Sequence, residues 1–215
     1  MDKRLLSMLL MLLACGIALS LAAHVFAVFP FDIKITHELQ EKEGLVFSGS
    51  MKYVSALGEP LFQTVLIGFV AAVFAFRRMY IEALFVLATT SSVLLTSVLK
   101  ILIIRPRPPW YPVDPAGLFG YIDQFSFPSG HVLFFVVFFG FLAYLACIHL
   151  AGRLQALVIA GCLVLILTIA PSRIYLGAHW ASDVIGSYII GALWLAILII
   201  AYNVVISRCK AKNNW

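Results

Sequence analysis

Residues 131–150 read HVLFFVVFFGFLAYLACIHL, without a single Asp, Glu, Lys or Arg. As a helix this run would be apolar on every face, which suits a membrane or a fully enclosed position and not a water-exposed surface. Working outward, comparable runs fill about 5–29, 60–76, 80–104, 154–171 and 184–206. Each approaches the ~20 residues that a helix needs to cross ~30 Å of hydrocarbon. Helices satisfy their own backbone hydrogen bonds in lipid. The expected fold is therefore all-α: a polytopic membrane bundle of about six transmembrane helices forming one domain over residues 1–215.

Composition agrees. The chain is 63% hydrophobic and 12% charged, with mean hydropathy +1.03; a soluble domain carries about 45–50% and about 25%. The formal charge is +5, but the basic residues form no tract of the kind that binds nucleic acid, and they sit at span ends. Cys15, Cys147, Cys162 and Cys209 form neither a C-x-x-C pair nor a disulfide framework. Met1–Arg4 followed by apolar residues resembles a signal peptide, but the run continues past Cys15 to Phe29, so an uncleaved anchor is expected.

With six spans, Lys3, Arg4, Arg77, Arg78, Arg153, Arg208, Lys210 and Lys212 share one face, expected to be cytoplasmic with both termini. The first outer loop, about 30–59, carries Phe31, Ile35 and Leu39 at helical spacing with Asp32, Lys34 and Glu38 between them. It reads as an amphipathic helix on the membrane surface.

Three polar segments interrupt the apolar pattern. In the first, Lys100-Ile-Leu-Ile-Ile-Arg-Pro-Arg107-Pro108, the prolines should end the third span with Lys100 just inside it and Arg107 just beyond. Such cations are costly unless they meet an anion or water; Arg105 reads as snorkelling to the headgroups. In the second, Phe127-Pro128-Ser129-Gly130-His131, a helix start offers unpaired N–H groups, and Ser129 and Gly130 let a phosphate oxygen approach closely. In the third, Ser172-Arg173 is followed by His179 and Asp183 at i,i+4, so a carboxylate can orient an imidazole while Arg173 offers a planar fork.

The first two segments flank one loop. Roughly 40 residues separate His131 from Ser172, enough for two crossings, so the third segment returns to the same face. Lys100, Arg107 and Arg173 bring three positive charges and Asp183 one negative. The surplus matches a phosphomonoester dianion. No cluster of His, Cys and carboxylates has metal-site spacing, and neither metal nor other cofactor is expected.

Together the segments resemble the K-x6-R-P, P-S-G-H and S-R-x5-H-x3-D signatures of the type 2 phosphatidic acid phosphatase superfamily, which includes membrane lipid phosphatases and soluble vanadium haloperoxidases. Every signature position is filled. The resemblance implies that His179 is a nucleophile forming a phosphohistidine, that Asp183 orients it, and that His131 protonates the leaving oxygen and then helps water attack. It also implies that Lys100, Arg107, Ser129, the Gly130 N–H and Arg173 hold the phosphate oxygens. The expected partners are a lipid phosphate and membrane lipids, in a bacterial cytoplasmic membrane with the site on the extracytoplasmic face. Phosphatidylglycerol phosphate, phosphatidic acid, undecaprenyl diphosphate and lipid A are all substrates within that family.

A transporter or lipid-binding protein would also bury charge in a bundle, but needs no His–Asp pair. A phosphotransferase between lipids could use the same intermediate, whereas six spans disfavour a haloperoxidase. His24, His37 and His149 read as structural or interfacial, and Glu82 as lying at the cytoplasmic boundary near Arg77 and Arg78. Ser182 with Gly186, and Ser187 with Gly191, read as close helix packing.

Overall fold

The computed structural model describes residues 3–42, 44–111 and 120–212. Among these, helices α1 (Lys3–Val25), α2 (Pro30–Gln40), α3 (Leu45–Ala56), α4 (Pro60–Phe76), α5 (Tyr80–Ala88), α6 (Ser91–Ile103), α7 (Gly120–Asp123), α8 (Gly130–His149), α9 (Gly152–Tyr175) and α10 (Ala181–Lys212) account for nearly all regular structure. One isolated bridge joins Pro106 to Phe125. Five spans are long and apolar enough to cross a membrane: Lys3–Val25, Tyr80–Ile103, Gly130–His149, Gly152–Tyr175 and Ala181–Ala211. The expected span at 60–76 is a helix of 17 residues. It reaches a sixth crossing only together with α3, across a bend of 63°.

Helix α8 is the centre. Its aromatic run Phe134, Phe135, Phe138, Phe139 and Phe141 is buried, with α9, α10 and α6 packed around it. An all-round apolar helix gains most by such enclosure. The outer helices leave Leu10, Met11, Leu94, Leu157 and Leu167 exposed, as lipid solvation allows. The Tyr80–Ile103 span breaks where Thr89, Thr90, Ser91 and Ser92 each turn a hydroxyl onto the carbonyl three residues back; such bonds compete with the helix's own ladder.

The first outer loop differs from expectation. It holds two helices, α2 and α3, and the buried face of α2 centres on Asp32 and Thr36. Ile35 and Leu39 do pack against the core, but Phe31 is turned outward. The polar face wins because Asp32 meets a buried cation, described below. Glu82, expected near Arg77 and Arg78, stands in the first turn of α5 just after them but faces inward. It is buried, accepts the Tyr202 hydroxyl at 2.9 Å and lies 3.2 Å from His149 Nε2. An aromatic cage of Phe85, Phe141, Tyr144 and Tyr202 surrounds that end. The close packing expected at Ser182 with Gly186 and Ser187 with Gly191 is present, since a Cβ would come 2.4 Å from Phe127 at Gly186 and 3.0 Å from Val136 at Gly191, and both buried serines are hydrogen-bonded as well. The side chain of Lys212 lies outside the described residues.

Candidate active site

The three segments are stitched together by hydrogen bonds. Helix α6 ends at Ile103, and Ile104 takes a left-handed conformation at φ 54°, ψ 34°, a strained choice for a β-branched residue. The resulting turn sends Arg105 into the bundle. Ser126 then donates from its N–H to Arg105 O at 2.8 Å and from its hydroxyl to Pro106 O at 3.0 Å, which fixes the first segment to the second. Arg107 donates to Ala178 O at 2.9 Å, joining the first to the third. Ser129 N–H donates to Ser187 Oγ at 2.7 Å, and that hydroxyl donates to Asp183 O, joining the second to the third.

His179 lies between the ends of α9 and α10 and is buried. Its Nδ1 is 3.6 Å from Asp183 Oδ2, an ion-pair distance too long for a hydrogen bond. Its Nε2 is 3.5 Å from Arg107 Nη1. A guanidinium can only donate, so Nε2 presents its lone pair to the cations and the ring proton belongs on Nδ1, facing the carboxylate. Burial, followed by the charges of Arg107, Arg173 and Lys100, holds the imidazole well below its ordinary pKa. It is therefore neutral, as a nucleophile must be. Asp183 has a second duty: its Oδ2 accepts the Trp180 N–H at 2.9 Å and so caps the start of α10.

His131 opens α8, and its Nε2 is 3.4 Å from Glu59 Oε1. That contact holds the Glu59 carboxyl below its usual range. Gly58 has no side chain because the His131 ring lies against it: a Cβ there would come 2.2 Å from Cδ2. Lys100 is buried and 3.6 Å from Asp123, whose carbonyl accepts Arg107 Nε. Tyr111 lies 4.8 Å from the Arg107 guanidinium. Arg173 is buried and donates to Ser55 Oγ on α3. Ser172, a signature position, ties down that same helix through Met51 O at 2.6 Å.

Among the described residues, five buried side-chain polar atoms lack a hydrogen-bond partner: Thr36 Oγ1, Ser129 Oγ, His131 Nε2, Arg173 Nε and His179 Nδ1. Four belong to the signature residues. Orphaned buried groups are rare and usually mark function.

Sequence reasoning missed Glu59, Asp123, Tyr111 and Ser55. It also misplaced Arg105, which does not snorkel. Its side chain is fully buried, paired with Asp32 at 2.8 Å and with Asp183. The signal was present in the acidic Asp32 of an otherwise interfacial helix, but nothing in the sequence joins positions 73 residues apart.

The buried helical core and the cationic pocket around a neutral imidazole define a membrane-embedded hydrolase of lipid phosphates. The chain belongs to the PAP2 superfamily, whose sequence model matches residues 81–206. It is 31% identical over 167 residues to phosphatidylglycerophosphatase B of Bacillus subtilis (strain 168), covering 75% of this chain and 78% of the relative. It also resembles the crystal structure of a transmembrane PAP2 type phosphatidylglycerolphosphate phosphatase from Bacillus subtilis. The TM-score is 0.75 at 27% identity, covering 88% of this chain and 93% of that one.

Proposed function

We propose that this chain hydrolyses the phosphomonoester of phosphatidylglycerol phosphate through a phosphohistidine, without a metal. The observation that carries the reading is the convergence of Lys100, Arg107 and Arg173 on a buried, neutral His179, whose Nε2 lies 3.5 Å from Arg107 Nη1. The relatives' named activity supplies the lipid.

In this mechanism the lone pair of His179 Nε2 attacks phosphorus and the ester P–O bond breaks. Lys100, Arg107, Arg173, Ser129 and the Gly130 N–H hold the remaining oxygens, and His131 gives a proton to the departing oxygen. The ring that then carries phosphate is cationic, and Asp183 stabilises it. Water, losing its proton to His131, attacks the phosphohistidine and releases inorganic phosphate. The pocket opens on the extracytoplasmic side of a bacterial cytoplasmic membrane, with both termini cytoplasmic.

The test is phosphate release by the detergent-purified chain in EDTA, from phosphatidylglycerol phosphate, phosphatidic acid, undecaprenyl diphosphate and lipid A, beside His179→Ala. Turnover of the first lipid, lost in the variant, is expected. Undiminished release by the variant removes the nucleophile. A strict Mg²⁺ requirement removes the metal-free step, and preference for another lipid reassigns the substrate.

A further inference from the structure

Behind His179 the bundle buries an ionic network that meets the reaction only through Asp183. Arg105 is 1% exposed and Asp32 0%. Arg105 Nη1 donates to Ser182 Oγ at 2.7 Å and to Asp183 Oδ1, Nη2 to Asp32 Oδ2 at 2.8 Å, and Nε to Ala27 O at 3.0 Å. The Phe29 ring lies 5.1 Å from the guanidinium. Asp32 also accepts the Phe29 N–H at 3.0 Å and both the N–H and the hydroxyl of Ser182 at 2.8 Å. Each of these contacts brings a donor to the carboxylate.

The arrangement is two carboxylates flanking one guanidinium, with Asp183 on the side of the nucleophile. Arg105 grips Oδ1 of Asp183, which leaves Oδ2 directed at Trp180 N and His179. A guanidinium paired with Asp183 alone would cancel the negative charge that a cationic phosphohistidine needs behind it. Asp32 on the far side restores that charge, so the trio carries one formal negative charge. Burying three charges is costly unless each is paired, and Asp32 arrives from α2, 150 residues before Ser182 in the chain. A helix expected to lie on the surface is thus a wall of the site.

We propose that Asp32 and Arg105 are positioning residues for phosphoryl transfer, holding Asp183 in register with His179 and keeping the ion trio net anionic behind the nucleophile. The inference rests on the proposed role of His179.

The test measures kcat, KM and inhibition by inorganic phosphate for the full chain in detergent. The variants are Asp32→Asn, Arg105→Lys and the double variant Asp32→Asn/Arg105→Met, beside native protein and His179→Ala. Asp32→Asn keeps size but removes the far charge and sets an amide donor among donors. Its kcat is expected to fall by about 10- to 100-fold, the scale of the cost of misplacing a reacting group by up to about 1 Å. KM and the inhibition constant of inorganic phosphate should stay within about twofold, because the anion-holding side chains are untouched. The double variant restores one net negative charge and should exceed the Asp32→Asn single in kcat. Arg105→Lys keeps charge but loses the fork, and should lower kcat with phosphate inhibition preserved; it carries the test if Asp32→Asn does not fold.

Native-like kcat in either single variant overturns the inference. So does a parallel loss of kcat and phosphate inhibition, which would make the network a support of the whole pocket. Absence of His179-dependent turnover in the native chain would instead overturn the proposed function and take this inference with it.

Discussion

Gly58→Ala should separate chemistry from folding. A Cβ at position 58 would lie 2.2 Å from Cδ2, 2.9 Å from Cγ and 3.1 Å from Nε2 of His131. Ordinary contact begins at 3.4 Å, so the ring must retreat by about 1 Å, a displacement that costs on the order of a hundredfold at a reacting group. The obstacle is a side chain with two rotatable bonds, so the ring yields before the backbone does. Stability should fall by no more than the ~1–3 kcal/mol of ordinary overpacking. Gly49→Ala and Gly68→Ala are the controls, because nothing lies within 4 Å of a Cβ at either position. The assay pairs kcat for lipid phosphate release with the thermal unfolding midpoint in the same detergent. If kcat for Gly58→Ala stays within about twofold of native, His131 is not held at a working distance by this contact, and its role as proton donor loses its geometric basis.

Stability should depend on pH through His179. Its pKa in the folded chain is held far below the ordinary 6.5, so at mildly acid pH the unfolded chain binds a proton that the folded chain refuses. Stability is therefore lost as pH falls through about 6.5; the unfolding midpoint should drop between about pH 7 and pH 5, less steeply in His179→Gln, and parallel curves would refute this. Glu82→Ala should leave the Tyr202 hydroxyl and His149 unpartnered and cost about 1–3 kcal/mol with turnover unchanged. Its cluster lies at the far end of α8, about 27 Å from His131; a matching loss of kcat would show that the two ends are coupled.

The membrane fold was legible because hydrophobicity over twenty residues is a strong signal that tertiary context does not reverse. The signature residues were legible because each segment carries a polar pattern inside apolar sequence, as His179 and Asp183 do at helical spacing. Arg105 and Asp32 were not. Each, read alone, suits an interface, and only their mutual contact makes burial affordable. Glu59 was hidden for another reason. It sits at a helix start after Gly58 and looks like turn punctuation, whereas its contact with His131 depends on the 63° bend between α3 and α4. Helix α4 keeps the expected bounds of 60–76, whereas its 63° bend from α3 was not legible in apolar composition.

The four hydroxyls at Thr89–Ser92 have a consequence for depth. A helix interrupted inside hydrocarbon normally needs water, or a neighbouring strip of protein, to quiet the carbonyls it frees. Here Val86, Leu87 and Thr89 each accept both a backbone N–H and a hydroxyl from three residues further along, and Ala88 accepts the Ser91 hydroxyl. The joint between α5 and α6 carries its own substitute for solvent. It can stand in the dry middle of the bilayer, leaving α6 free to aim Lys100 at the pocket whatever direction α5 takes.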